Sequence, residues 1–391
     1  MLKALSPKPD TVQIEVCESI TKADAASWNA LTDGRNPFVR YEFLSALENN
    51  KCVHADHGWH PCHLMMKDGD DLIAAAPAYL KTHSYGEFVF DWAWAEAYER
   101  NGAEYYPKLI SAIPFTPATG PRMLVAEGQD RGQCTSALMS AAVALCKQQN
   151  FSGAHWLFPT ADEAKELEQG NYMLRMGCQY IWSNDGYCDF EDFLSRCTSK
   201  KRKNMRRERK RVQEQGVTLQ VLHGNELTSD DWKQVMRFYL DTFSRKWGNP
   251  TLNHGFFSEI GETMGEDVII VFASYEGERV ACSVMLKGTD TLYGRYWGCA
   301  EEFHSLHFEA CYYQGIDYCI ANGLSRFEPG AQGEHKIGRG FVPTPTWSAH
   351  YLANKDFAAA VARFLSQERP LMEKHCEELH QLLPFKNTEE S

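Results

Sequence analysis

The residues best suited to chemistry lie in one short stretch, Gly330 to Gly340, which reads Gly-Ala-Gln-Gly-Glu-His-Lys-Ile-Gly-Arg-Gly. Its glycines let backbone N–H groups approach a bound group closely. Lys336 and Arg339 are suited to hold a phosphate or carboxylate, with Gln332 and Glu334 as further polar contacts. The stretch follows an expected strand, Ser325 to Glu328, and α/β proteins commonly place ligands at such strand ends. It lacks the Gly-Lys-Ser/Thr of a P-loop and the dinucleotide fingerprint. The alternative reading is a charged surface loop whose glycines serve turns.

Acyl transfer to an amine, the reaction implied by the family resemblance given below, is chemistry this set could serve. The amine must be neutral when it attacks, so a base within reach helps. The developing oxyanion needs a hydrogen-bond donor. Glu328, at the end of the strand, or His335, seven residues on, could take the proton. An imidazole titrates near neutrality, which suits the role. Glu309, in the first turn of an expected helix, is a third choice; its other reading is a favourable charge near a helix N-terminus. His304 and His307 stand at i and i+3 and invite a metal reading. The spacing does not supply three or four ligands, so substrate contact or helix-start hydrogen bonding is expected of them, and no metal. No Gly-x-Ser-x-Gly elbow occurs.

A second charged feature stands apart. Residues 200–211 hold nine basic residues and one acid, a local charge of +8, within a chain of net charge −12; the remainder therefore carries −20. Basic residues in a helix's first turn oppose the macrodipole, and like charges at i and i+4, such as Lys203 and Arg207, repel. Ser199 is the expected N-cap. A basic helix over 199–215 that bears these costs points to an anionic partner: phosphate, a CoA, or a tRNA backbone. Lys200, Lys203 and Arg207 are its candidate contacts. The alternative is a solvated helix paired with acids elsewhere.

The elements that must position these groups fall into two related α/β halves. Each half reads as hairpin, strand, helix, strand. In the first, His63–Met66 and Leu72–Leu80 flank the turn Asp68-Gly69-Asp70; Arg122–Val125, Cys134–Gln148 and His155–Phe158 follow. In the second, Val268–Ser274 and Val280–Leu286 flank Glu276-Gly277-Glu278; Leu292–Trp297, Leu306–Ala321 and Ser325–Glu328 follow. A helix-to-strand passage implies a parallel or mixed sheet. The boundary falls near the turn Asn184-Asp185-Gly186, which gives halves of 12–185 and 186–385. An aromatic segment near 92–119 has no expected counterpart in the second half; it is either a wall of a cleft or an excursion packing its own rings. Asp356–Leu383 reads as one amphipathic helix or a pair broken at Pro370, and 386–391 as a disordered tail.

Composition agrees with a folded chain. Of 391 residues, 43% are apolar and 12% aromatic, which excludes a disordered polar chain. The apolar run Leu72–Leu80, broken by Pro77, is half the length needed to cross a bilayer, and Met1 to Asp10 lacks a signal peptide's apolar stretch. The thirteen cysteines are odd in number, scattered, and free of Cys-x-x-Cys, as expected of reduced thiols. A cytoplasmic location is expected.

Two blocks also carry a family resemblance. One is the basic run Lys-Lys-Arg-Lys-Asn-Met-Arg-Arg-Glu-Arg within Ser199 to Gly216. The other runs from His304-Ser-Leu-His-Phe-Glu-Ala-Cys-Tyr-Tyr-Gln through Phe327-Glu-Pro-Gly-Ala-Gln-Gly-Glu-His-Lys-Ile-Gly-Arg-Gly-Phe to Pro343. With Arg40-Tyr41-Glu42-Phe43-Leu44 and Pro114-Phe115-Thr116-Pro117, they resemble the FemAB-like branch of the GNAT superfamily, proteins labelled as peptidoglycan biosynthesis or recognition. The resemblance spans about residues 15 to 380. It implies α/β (α+β) architecture, with two tandem GNAT-like domains whose mixed sheets are flanked by helices. It implies acyl or aminoacyl transfer to an amine, from acyl-CoA or aminoacyl-tRNA as a co-substrate, with no tightly bound cofactor. The expected partners are a small-molecule or cell-wall-precursor substrate with anionic groups, and tRNA. The rival reading is a non-catalytic recognition protein that binds an anionic cell-wall precursor or RNA through the basic helix.

Overall fold

A computed structural model describes residues 12–246, 249–331 and 333–386, without the side chains of 245 and 246. Residues 1–11 and all of the expected tail but Lys386 lie outside these residues, as does Gln332; the Lys386 amide donates to Arg196 O.

Fifteen strands form two sheets among the described residues. In chain order they are β1 (Val12–Cys17), β2 (Trp59–Pro61), β3 (His63–Asp68), β4 (Asp71–Ala76), β5 (Ala78–Lys81), β6 (Lys108–Ser111), β7 (Leu124–Val125) and β8 (Gly153–Leu157). The remainder are β9 (Met173–Ser183), β10 (Thr218–His223), β11 (Val268–Tyr275), β12 (Glu278–Lys287), β13 (Thr291–Cys299), β14 (Arg326–Glu328) and β15 (Val342–Leu352). A small sheet runs β1-β3-β4-β7. The other eleven form one sheet in the order β10-β11-β12-β13-β14-β9-β15-β8-β6-β5-β2.

Both expected hairpins form. Gly69 takes φ 62, and Glu276 and Gly277 take φ 51 and 86, the left-handed pair that a tight hairpin turn needs. Leu72–Leu80 is not one strand. Pro77, which has no N–H to give a ladder, breaks it, and β4 stays in the small sheet while β5 joins the large one.

Each half contains one parallel pair. In the first, β6 pairs β8 from Leu109↔Ala154 to Ser111↔Trp156. In the second, β13 pairs β14 from Thr291↔Arg326 to Tyr293↔Glu328. The counterpart of β13 is therefore β6, which lies inside the segment taken as an insertion. Arg122–Val125 supplies only β7, at the edge of the small sheet.

The halves then exchange strands. β9, from the first half, pairs antiparallel with β14. β15, from the second, inserts between β9 and β8, antiparallel to both. One apolar core also spans the halves: Phe38 and Phe43 pack edge-on against Tyr293 and Phe256. The C-terminal helix Lys355–His380 is continuous through Pro370 and covers β9 and β15.

Candidate active site

β13 and β14 are hydrogen-bonded over three residues only and separate after Tyr293 and Glu328. Beyond that fork lies a cavity of about 470 Å³. Arg295, Tyr296 and Trp297 line it from β13; Pro329, Gly330, Ala331 and Gly333 line it from the chain after β14. Gly294 permits the fork: a Cβ there would meet Pro329 Cα at 3.2 Å.

The third wall is the helix between these strands. It runs from Leu306 to Ala321 and widens to a π-helical turn at Glu309–Tyr313, all five residues buried. Such turns recur at functional sites. This one sets Cys311 and Tyr312 on the cavity, while the Tyr313 hydroxyl donates to Glu208. The fourth wall is the glycine-rich stretch. It is not an open loop: Glu334–Arg339 forms a 3-10 helix with Lys336, Ile337 and Arg339 buried.

The structure gives the candidate residues different positions. Glu328 sits at the fork, 7% exposed. Burial pushes its carboxyl up to about 7, against the opposing pull of Arg326, the Thr119 amide, Arg295 and Arg122. Its Oε1 accepts a long bond from Arg326 Nη2 at 3.4 Å, and its Oε2 has no partner among the described residues. His335 lines the cavity, and its Nε2 lies 2.9 Å from the Tyr312 hydroxyl. Burial, Arg339 and Lys336 hold that imidazole below its ordinary value, so it is neutral at pH 7. Lys336 also lines the cavity and donates to Gly330 O at 2.6 Å. Burial lowers its ammonium to about 8. His307 is a wall residue, its ring 5.5 Å from Trp297.

Other candidates are committed elsewhere. Arg339 lies behind the wall, where Nη2 and Nε donate to Glu208 at 2.8 and 3.3 Å and Nη1 to His335 O at 2.7 Å. Its charge is neutralised by a buried acid rather than presented to a ligand. Glu309 faces away from the cavity; Arg209 and Gln314 occupy its carboxylate, which burial pushes up. Glu334 is exposed on the outer side of the 3-10 helix. His304 stacks its ring nitrogens on Arg211 at 2.9 and 3.1 Å, outside the cavity. Among the described residues no three His, Cys, Asp or Glu side chains converge as a metal set would.

The basic helix spans Ser199–Glu214. Thr198, not Ser199, is its N-cap, and no side chain caps it. Its inner face is paired: Arg209 with Glu309 and Asp317, Glu208 with Arg339. Lys200, Lys203 and Arg207 are exposed, at i, i+3 and i+7, and meet no carboxylate within 4 Å among the described residues; Arg207 donates only to Asn204. Lys201, outside that stripe, reaches back beside Gly338 in the site's fourth wall.

Sequence reasoning missed Arg295. It is 2.6 Å from Phe115 O through Nη2, while its Nε is buried without a partner among the described residues. A charge inside the apolar run Leu292–Trp297 was the available signal. An acceptor, Glu328 Oε2, and a donor, Arg295 Nε, are thus both left unmatched at one fork. Buried polar atoms of this kind mark functional sites more often than errors of folding.

By sequence, no curated protein matches the chain. Among solved structures, it is similar to the C-terminal domain of a putative lysylphosphatidylglycerol synthetase from Agrobacterium fabrum, at 10% identity and TM-score 0.55, over 89% of this chain and 97% of that one. It is similar to FemX at 10% identity and TM-score 0.54, over 90% and 100%. It is also similar to L-PGS from Bacillus licheniformis at 12% identity and TM-score 0.52, over 85% and 98%. At these identities the likeness is one of fold, a mixed α/β fold. No helix among the described residues is long and apolar enough to cross a membrane. The profile of the FemAB-like family, described as peptidoglycan biosynthesis/recognition, matches residues 19–387, and the chain belongs to that family.

Proposed function

We propose that the protein is an acyltransferase that moves an acyl or aminoacyl group from an acyl-CoA or an aminoacyl-tRNA to an amine by direct attack. The observation that carries this reading is the fork: a cavity lined by Arg295, whose buried Nε–H lacks a partner, next to Glu328, a buried carboxyl near neutral pKa with one oxygen, Oε2, unmatched. Glu328 takes the proton of the attacking amine, and a base that titrates near working pH is efficient at this. Arg295 donates to the carbonyl oxygen as negative charge develops there. Lys336, charged below pH 8, attracts an anionic group of donor or acceptor. Tyr312 and His335 form a hydrogen-bonded pair in the wall, with His335 as the second candidate base. Family membership supports an anionic cell-wall precursor as acceptor, and the exposed stripe Lys200, Lys203 and Arg207 supports a phosphate-bearing donor.

That stripe also supports a second reading, a recognition protein that binds an anionic precursor or RNA without chemistry. One experiment separates them. Purified protein is screened by thermal shift against acyl-CoAs and charged and uncharged tRNA, since a ligand of the native state raises the midpoint; any donor found is then tested for transfer of its labelled acyl group to amines. Transfer that falls about 100-fold in Glu328→Gln while donor binding persists supports catalysis. Binding lost only in Lys200→Ala/Lys203→Ala/Arg207→Ala, with no transfer, supports recognition.

A further inference from the structure

The segment His83–Trp92 is folded inside out. Its two acids, Glu87 and Asp91, are 5% and 3% exposed, and both turn inward to a fully buried Lys108. Lys108 Nζ donates to Glu87 Oε2 at 2.8 Å, to Asp91 Oδ2 at 2.5 Å and to Ser84 Oγ at 2.8 Å. The aromatic side chains of the same segment turn outward. Tyr85 is 69% exposed, Phe90 57%, Phe88 40% and Trp92 37%. These are four of the eleven exposed large apolar side chains among the described residues, gathered within eight positions. A soluble surface normally scatters such side chains singly, and a cluster marks an interaction site.

Two details show that the patch is built. Tyr85 and Trp92 pack ring to ring at 4.8 Å. Phe88 holds φ 62, a left-handed conformation unfavourable for a bulky side chain, and thereby reaches the mouths of two cavities. One of these, about 230 Å³, runs past Met176, Trp347 and Met372 to Ala331 in the site's own loop.

We propose that this patch seats the protein on a lipid surface. The charges decide the partner. A polyanion needs free cations beside the rings, and the nearby cations are committed. Lys108 is held by its two acids, Arg175 is bidentate to Glu368, and Lys81 is buried over the Trp59 ring. A sugar needs polar side chains flanking the rings; of those in this segment Ser84, Glu87 and Asp91 face Lys108, and His83 Nδ1 is taken by the Tyr85 amide and Lys81. What remains outward is aromatic rings with a hydroxyl and an indole, the composition that favours the boundary between headgroups and acyl chains. The apolar cavity behind Phe88 and Phe90 continues the patch inward and suits an alkyl chain. None of this depends on the transfer chemistry.

The test is flotation of the full chain with vesicles of uncharged phosphatidylcholine. The wild-type chain is expected to float with the vesicles, without salt dependence. Tyr85→Ser/Phe90→Ser should lower the bound fraction by about tenfold or more, with an unchanged thermal midpoint because both side chains are exposed. Phe364→Ser, an exposed apolar position on the C-terminal helix, should change nothing. A wild-type chain that ignores the vesicles, or a double variant that floats equally well, overturns the proposal. Binding confined to anionic vesicles and lost in Lys200→Ala/Lys203→Ala/Arg207→Ala assigns the contact to the basic helix and overturns it too. Self-association that the double variant abolishes, without vesicle binding, makes the patch a protein contact and has the same force.

Discussion

The two halves build the same unit and finish it differently. In the first, β6 and β8 stop pairing after Ser111 and Trp156, and the chain folds back against the end of β8. The Gly120 amide donates to Phe158 O. The buried Arg122 guanidinium donates to the carbonyls of Leu157, Ala118 and Pro121. Glu163 accepts the amides of Arg122 and Met123. In the second, β13 and β14 part in the same way, but a cavity opens and Arg295 and Glu328 keep unmatched atoms beside it. Buried polar atoms stay unmatched at both forks, Ser111 Oγ and Trp156 Nε1 at the first, so what makes the second a site is the cavity that opens there, and what makes the first a strut is the returning chain held by Arg122 and Glu163.

The sharpest way to break this comparison is Glu328→Gln. Transfer should fall by about 100-fold, and the wild-type rate should rise with pH through about 7 as the carboxylate forms. Stability should move the other way. The folded value lies above that of the unfolded chain, so the native state holds the proton more tightly. Its contribution is full below the unfolded value, declines as pH rises toward about 7, and totals up to about 3 kcal/mol. Thermal midpoints across pH 4 to 8 should show that slope in the wild type and lack it in the glutamine variant.

Breaking the strut gives the opposite signature. Arg122→Met leaves three carbonyls without their donor and should cost about 3 kcal/mol in urea unfolding. The midpoint shift caused by a donor should persist, because the open fork is in the other half. The smallest effect belongs to Gly294→Ala. A methyl there must push Pro329 aside, so a loss of about 1 kcal/mol and a few-fold drop in transfer are expected in the same two assays.

The reading of the sequence reached the elements that repeat and missed those that cross. Hairpins around Gly69 and Gly277 were legible because turn chemistry is local. The partners of β9 and β15 were not, since no short-range pattern says that residues near 350 lie beside residues near 155. Lys336 and His335, which line the cavity, stood out in sequence as charge among glycines, and Glu328 as an acid at a strand's end. Arg339 was found by the same signal yet serves Glu208, because a basic residue looks alike in sequence whether it faces a ligand or a buried acid. Tyr312 depends on a π-turn that no spacing announces.

The exchange of β9 and β15 also orders the life of the chain during synthesis. His155 and His350 are opposite one another across β8 and β15, 195 residues apart, so the first half cannot close its sheet until nearly the whole protein has left the ribosome. Until then β8 and β9 present open edges, the kind of surface that templates aggregation. Such distant pairing also slows folding. A chain that ends before Val342 is therefore a sheet with a missing stave, and the part it lacks is the one that fills the gap between β8 and β9.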